Sequence, residues 1–255
     1  MLDYLKTALR AALRSAGFTV NRIPPEDAYR FFPKPENRFL WLRELGIRTV
    51  LDVGAHTGES ALQFREILPD AAIYSFEPLK DCFQELEKNL SGLSGCRAFN
   101  VAIGDQMGTG TIHRSAYSAS SSLLPMADLH KSAYPFSAAE STEIISIETL
   151  DSVCSRLDLR EEILIKIDTQ GFEKNVLMGA IGILERTRLI IVETSFGELY
   201  RDQPRFPEIY RMLESLGFEY RGSWDQFLNP KDGIPIQQDG IFLRPPRSIG
   251  VGKPA

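Results

Sequence analysis

Along residues 47–244, short apolar runs alternate with amphipathic stretches. "RTVLDVGA" (48–55), "AAIYSFEP" (71–78), "CRAFNVAIG" (96–104), "EILIKID" (162–168) and "RLIIVET" (188–194) read as strands. Between them, "GESALQFREIL" (58–68), "KDCFQELEKNL" (80–90), "EKNVLMGAIGILE" (173–185) and "FPEIYRMLESLG" (206–217) read as helices, the last closed by Gly217. "FEYRGSW" (218–224) and "DGIFLR" (239–244) are two more strands with no helix between them. Such alternation predicts an α/β fold: a mostly parallel seven-stranded sheet with helices on both faces and an antiparallel pair at one edge.

Residues 105–160 interrupt this rhythm. "GTGTIHRS" (108–115) reads as a short extra strand. "EIISIETLDSVCSRL" (143–157) reads as a strand leading into a short helix, with Thr149 as the N-cap. His113 and His130 fall in this irregular segment and are read as surface residues. The chain then divides into an N-terminal helix and arm (1–45), one main domain (46–245) and a short disordered tail (246–255).

One strand breaks the apolar rule. In "EILIKIDTQGFE" (162–173), Lys166 stands inside a run that reads as buried on both faces, and Asp168 follows two residues later. Strand side chains alternate, so both point to the same face. Open parallel sheets bind ligands outside the carboxyl ends of their strands, which is where Asp168 falls. Glu193 ends the next strand. Charges retained at such places mark a functional site. For Lys166 the alternative is a buried ion pair with a neighbour such as Asp52, fixing the site without touching a ligand.

The first strand runs into "LDVGAHTGES" (51–60). A glycine after a strand lets a ligand approach the backbone, and the helix N-terminus that follows favours an anionic group. Counting from Gly54, the later glycine places of the dinucleotide fingerprint hold His56 and Glu59, which disfavours a hydride-transfer cofactor. Asp52 can meet an ammonium group, and the helix start at Gly58 a carboxylate. Glu77 ends the second strand, 23 residues after Gly54, where an acid can accept two ribose hydroxyls. These features fit S-adenosylmethionine, with adenine near Asn100–Ala102. The expected cofactor residues are Asp52, Gly54, His56, Gly58, Glu77, Asn100 and Ala102.

The sequence resembles the FkbM-type methyltransferases. The matching stretches are "VLDVGAHTGES", "FEP", "NVAIGD", "TLDSV", "LIKIDTQGFEKNVLMGA", "IIVETSFGELY" and "QQDGIFLR", in the family's order over about residues 48–244. "KIDTQGFE" followed by "VLMGA" is the most specific. His56 departs from the family, which more often has Asn there. The resemblance implies a Rossmann-like class I methyltransferase domain that transfers a methyl group from S-adenosylmethionine, usually to a hydroxyl. It implies a sugar, glycan or natural-product acceptor. The competing reading is a non-catalytic cofactor-binding or scaffold protein of the same fold.

Methyl transfer needs alignment of the acceptor oxygen, and gains from a group that takes its proton. Asp168, Glu193 and His56 are the candidates for that role. His56 can equally be a plain turn residue. No metal is expected, because Asp168 and Glu193 lack an obvious third ligand. "SASSSLLP" (118–125) is either a lid over the acceptor or a flexible connection, and "ELYRDQPRF" (198–206) either shapes the acceptor pocket or is an ordinary loop.

Composition narrows the partners. The chain of 255 residues is 43% hydrophobic and 25% charged, as in ordinary globular proteins. A net charge of −5 argues against a broad nucleic-acid surface. Cys82, Cys96 and Cys154 are scattered without metal-ligand spacing, which suits a reducing, cytoplasmic location. No apolar run reaches the length of about 18 residues that a membrane span needs, and the N-terminus lacks the apolar core of a signal peptide. Within residues 1–18, Leu2, Leu5, Leu9 and Leu13 form a stripe beside Lys6, Arg10 and Arg14. That pattern suits weak, peripheral contact with a membrane surface, or a helix packed on the domain or a second subunit. The aromatics among the prolines of residues 19–40 favour an arm packed on the body. The oligomeric state is not legible.

Overall fold

A computed structural model of the chain describes residues 39–246. The expectations for the N-terminal helix, for the arm up to residue 38 and for the tail after Pro246 lie outside the described residues. The chain divides into two compact units, Met1–Trp41 and Leu42–Ala255, and the second carries every feature discussed below.

Its centre is a seven-stranded sheet built from β1 (Thr49–Val53), β2 (Ala72–Phe76), β3 (Cys96–Phe99), β7 (Ile163–Ile167), β8 (Thr187–Ser195), β9 (Glu219–Leu228) and β10 (Pro235–Leu243). Their order across the sheet is β3-β2-β1-β7-β8-β10-β9. All neighbours pair in parallel except β10, which runs antiparallel to β8 on one side and β9 on the other. The predicted sheet is present, with its antiparallel pair at one edge. The order reverses between β1 and β7, so their carboxyl ends form the crevice where such folds take ligands.

The two faces of the sheet differ in chemistry. Leu51, Val53, Ile165, Ile167, Ile190, Val192 and Phe242 belong to one large core cluster. The alternate residues face the other way, and β1, β7, β8 and β10 place Asp52, Lys166, Ile191, Glu193 and Asp239 there through matched registers. Period-two alternation thus separates a packed apolar face from a face carrying buried charge.

Helices follow the strands as expected: α1 (Glu59–Ile67), α2 (Lys80–Leu90) and α7 (Phe206–Ser215). Gly217, at φ 84°, stops the last of these. The irregular segment folds into a small sheet of its own, with β4 (Ala102–Ile103), β5 (Gly108–Ser115) and β6 (Glu140–Glu148) in the order β4-β6-β5. Between β5 and β6 runs α3 (Asp128–Ala133), and β6 leads into α4 (Leu150–Cys154). Thr149 caps α4 as predicted, its side chain accepting from the Ser152 N–H.

Two predicted elements are broken. The run 96–104 is not one strand: it turns after Phe99, and Ala102–Ile103 leave for the small sheet. The Asn100 side chain fixes this turn by donating to the carbonyls of Glu77 and Pro78, both at 2.9 Å. The run 173–185 is not one helix but two, α5 (Glu173–Met178) and α6 (Ile181–Leu184). The Asp151 carboxylate accepts from the N–H groups of Gly182 and Ile183 at 2.8 and 2.7 Å, capping the second start. His130 is a further correction. It is only 2% exposed and packs edge-on between the rings of Tyr134 and Tyr200. Among the described residues, no helix is long and apolar enough to cross a membrane.

The break between α5 and α6 lets Gly179 meet the loop after β4. A Cβ at Gly179 would lie 2.0 Å from the Gly104 carbonyl oxygen, although φ −83° suits any residue. Gly179→Ala therefore tests close approach alone. We expect overpacking of roughly 1–3 kcal/mol, seen as a fall in melting temperature of roughly 4–10 °C by calorimetry. An unchanged Tm would show that this contact does not constrain the fold.

Candidate active site

The loop after β1 is held in a shape few residues adopt. Gly54, His56 and Gly58 all have positive φ, at 80°, 48° and 96°. A Cβ at Gly54 would lie 1.8 Å from the Asp168 carbonyl oxygen, so glycine is required where β1 and β7 end together. Left-handed backbone explains why His or Asn can stand at His56, since both are enriched there. Gly58 turns the chain into α1 against Leu86.

Glu77, 5% exposed, ties this loop to the end of β2. One carboxylate oxygen accepts the His56 N–H at 2.9 Å and the other the Leu79 N–H at 2.8 Å. Each oxygen keeps a further lone pair for a ligand. Burial raises Glu77 to about 7, against the lowering effect of those two N–H groups.

All of these groups except Gly58 open onto one cavity. Its lining includes Gly54, His56, Glu77, Ala102, Asp168 and Phe172. Ser118, Ala119 and residues 121–123 border the same cavity, and Ser118 Oγ lies 2.8 Å from His56 Nε2. Ser122 Oγ donates to the Gln170 carbonyl at 2.6 Å. The serine-rich stretch is thus anchored to the glycine loop at Ser118 and to the turn after β7 at Ser122. The lining suits S-adenosylmethionine: a carboxylate for ribose, apolar Val101, Ala102 and Ile103 for a base, and open backbone at Gly54–His56 for an amino-acid end.

Not every expected residue borders that cavity. Asp52 is 1% exposed, takes a 3.3 Å hydrogen bond from Ser75 and lies beneath the loop. Burial raises it to about 6, with Lys166 working against the rise. Asn100 acts on the backbone after β2, and Glu193 lies behind Gln170. The Lys166 partner is also not Asp52. Its Nζ donates to Asp168 Oδ2 at 2.9 Å and to Asp239 Oδ1 at 3.5 Å, although Asp52 is its register neighbour on β1. Burial opposes charge on Lys166, but the two aspartates outweigh it and keep the ammonium protonated.

Asp168 has its other oxygen on Gln170. Gln170 Nε2 donates to Asp168 Oδ1 and to Glu193 Oε2, both at 2.8 Å, and Gln170 Oε1 accepts from the Tyr200 hydroxyl at 2.7 Å. Gln170 holds this fork from a left-handed backbone, φ 55°. That conformation is costly for a non-glycine residue and persists where surroundings enforce it. Here Glu173 does so: its Oε1 accepts the N–H groups of Thr169 and Gly171 at 3.1 and 2.9 Å.

The electrostatics divide the acids by role. Burial disfavours charge on Asp168, but Lys166 and the hydrogen bonds around it hold it below the ordinary carboxylate range. Its side chain stays 33% exposed. Burial, then the charges of Asp168, Glu173 and Asp239, push Glu193 well above that range. The two shifts run in opposite directions: charge is favoured on Asp168 and disfavoured on Glu193. Among the described residues no cluster of His, Cys, Asp and Glu could hold a metal ion.

Gln170, Glu173, Tyr200 and Asp239 are site residues that pattern reading did not single out. Asp239 carries the same signal as Lys166, a charge beside an apolar strand run. Glu173 is an acid in the first turn of a helix after a glycine.

Comparison with known proteins agrees with this geometry. The methyltransferase FkbM domain matches residues 52–220. The 2-O-methyltransferase NoeI of Sinorhizobium fredii (strain NBRC 101917 / NGR234) is 31% identical over 173 residues, covering 65% of this chain and 71% of that protein. Among solved structures, magnesium protoporphyrin IX methyltransferase (ChlM) from Synechocystis PCC 6803 with bound SAM aligns over 94% of this chain and 97% of its own, at 12% identity and TM-score 0.44. Precorrin-6y C5,15-methyltransferase from Geobacter metallireducens GS-15 aligns over 84% and 88%, at 9% identity and TM-score 0.42. The glycine loop, the acid after β2 and the "KIDTQGFE" turn all fall inside the matched domain, and the chain belongs to the FkbM family of S-adenosylmethionine-dependent methyltransferases.

Proposed function

We propose that the chain methylates a hydroxyl of a small-molecule or glycan acceptor, and that Asp168 orients that hydroxyl. The observation that carries this reading is an ionised, partly exposed carboxylate at the rim of the cofactor cavity, fixed from both sides by Lys166 and Gln170. The 2-O-methyltransferase relative supports oxygen as the acceptor atom.

Bound S-adenosylmethionine supplies an electrophilic methyl group on a sulfonium. The acceptor oxygen must lose its proton as the new C–O bond forms. Asp168, held low by Lys166, is a weak base but a strong hydrogen-bond acceptor, so it aims the hydroxyl and receives or passes on the proton. Gln170, held in turn by Glu193, keeps it from swinging away.

S-adenosylhomocysteine should raise the melting temperature, by about 2.7 kcal/mol of added stability at a hundredfold excess over Kd. NAD should not. Stabilisation by NAD alone would overturn the cofactor reading.

Ribose hydroxyls donate to the ionised form of Glu77, which is depleted as pH falls through about 7. Affinity for S-adenosylhomocysteine should therefore fall about tenfold between about pH 8 and pH 6. Glu77→Gln should bind at least about fivefold more weakly at pH 8 and lose that dependence. Calorimetric titration checks both; a pH-independent wild type would remove Glu77 from the ribose.

Asp168→Asn keeps shape and loses charge. It should leave S-adenosylhomocysteine affinity within a few-fold while lowering methyl-transfer turnover by about 10²-fold or more. Normal turnover with the acceptor would make Asp168 structural.

A further inference from the structure

A row of rings runs from the site to the surface. It starts at Tyr200, 1% exposed, whose hydroxyl reaches Gln170. The Tyr200 ring meets His130 at 5.1 Å, and His130 meets Tyr134 at 5.3 Å. Tyr134 meets Phe136 at 6.1 Å, and Phe136 meets Tyr117 at 5.5 Å. Each contact is edge-on, an arrangement that rings favour. Tyr200 and His130 are buried and Tyr134 is half-buried, but Phe136 and Tyr117 are 65% and 52% exposed. The row therefore begins in the packed interior and ends in two open rings.

The open pair is fixed from below. Ser115, 3% exposed, donates its hydroxyl to the Ser137 carbonyl at 2.7 Å and accepts the Tyr117 N–H at 3.1 Å. The Ala116 N–H donates to the Ala139 carbonyl at 2.8 Å. The segments after β5 and before β6 are thereby locked together, and rings fixed in advance lose little freedom on binding. The pair also adjoins the site. Ser118 follows Tyr117, lines the cofactor cavity with Asp168 and touches His56. At the inner end, burial and then the charge of Glu193 raise the Tyr134 hydroxyl, which places Tyr134 within electrostatic reach of that acid. Sugar rings carry C–H groups on their faces and hydroxyls around their rims. The negative face of an aromatic ring attracts such C–H groups. Ala116, Ser118, Ser137 and Ala138 flank the rings with small side chains, which suits a flat sugar better than an acyl chain that needs an enclosed groove.

We propose that Tyr117 and Phe136 form a stacking platform for a sugar ring of the acceptor other than the one that is methylated, and that the acceptor is therefore an oligosaccharide. This rests on the methyltransferase reading above. The rings stand outside the cofactor cavity, so they cannot hold the sugar that meets Asp168. They hold a neighbouring unit instead, and the chain of sugars passes along the serine-rich stretch to reach the cavity. Binding energy from that remote unit positions the reacting hydroxyl.

Full-length protein saturated with S-adenosylhomocysteine can be screened on an array of defined glycans, from monosaccharides to longer oligosaccharides, and the tightest ligand titrated by saturation-transfer NMR. An oligosaccharide should bind at least about tenfold more tightly than its own monosaccharides. Tyr117→Ala and Phe136→Ala, changes at exposed side chains, should each weaken it at least about fivefold, while Tyr117→Phe, which keeps the ring, should stay within about twofold. All three should keep their affinity for S-adenosylhomocysteine. In methyl transfer to that oligosaccharide, the alanine variants should raise KM more than they lower kcat. The platform is overturned if no oligosaccharide binds, if a monosaccharide binds as tightly, or if neither alanine variant changes the affinity. It is also overturned if the alanine variants instead release the protein from phosphatidylcholine vesicles or from a dimer. Failure to bind S-adenosylhomocysteine at all would overturn the methyltransferase reading, and the acceptor assignment with it.

Discussion

One buried ammonium organises the ligand edge of this protein. Lys166 is inside the sheet, 6% exposed, and joins β7 to β10 through Asp168 and Asp239. Removing a cation and two carboxylates from water costs several kcal/mol per ion, and such clusters seldom add net stability. Their persistence here follows from what the cluster fixes. It keeps Asp168 charged where burial alone would protonate it. Glu193 is raised by its own burial first and by the charge of Asp168 next, against Lys166.

A second layer holds the turn that carries Asp168. Gln170 spans two strands with its amide, Tyr200 secures the far side of that amide, and Glu173 straps down the backbone beneath. Tyr200 comes from the "ELYRDQPRF" stretch, and its one hydroxyl hydrogen is shared between Gln170 Oε1 and the Ser120 carbonyl, 2.9 Å away. The loops after β5, β7 and β8 are thus joined through polar contacts at one point. Buried polar networks of this kind favour a single geometry, at the expense of tolerance to change.

The elements that the sequence made legible are those governed by local physics. The α2 boundaries, the β5 limits and the Thr149 cap follow from periodicity and capping chemistry. Lys166 and Asp168 announced themselves by breaking an apolar run. What stayed hidden depends on partners distant in the chain. Asn100 ends β3 by reaching two carbonyls after β2, and Asp151 splits a helix from 31 residues away. His130 looked like a surface residue because it lies among polar neighbours. Its burial comes from Tyr200, 70 residues on, and desolvation lowers it to about 4 so that it stays neutral. The Lys166–Asp239 contact spans 73 residues and needs the strand order, which periodicity does not supply.

The place of β10 has a consequence for how the chain is made. β9 is synthesised first, yet it lies at the rim, and β10 enters between it and β8. A chain emerging from the ribosome therefore cannot fill the sheet in the order of its synthesis. β9 must either wait or pair provisionally with β8 and then give way. Until Asp239 arrives, Lys166 lacks one of its two carboxylate partners. At about 5–20 residues per second, the stretch from Lys166 to Asp239 takes several seconds to appear. Over that interval the charge cluster is unfinished, so the ligand edge is among the last parts of the protein to be completed.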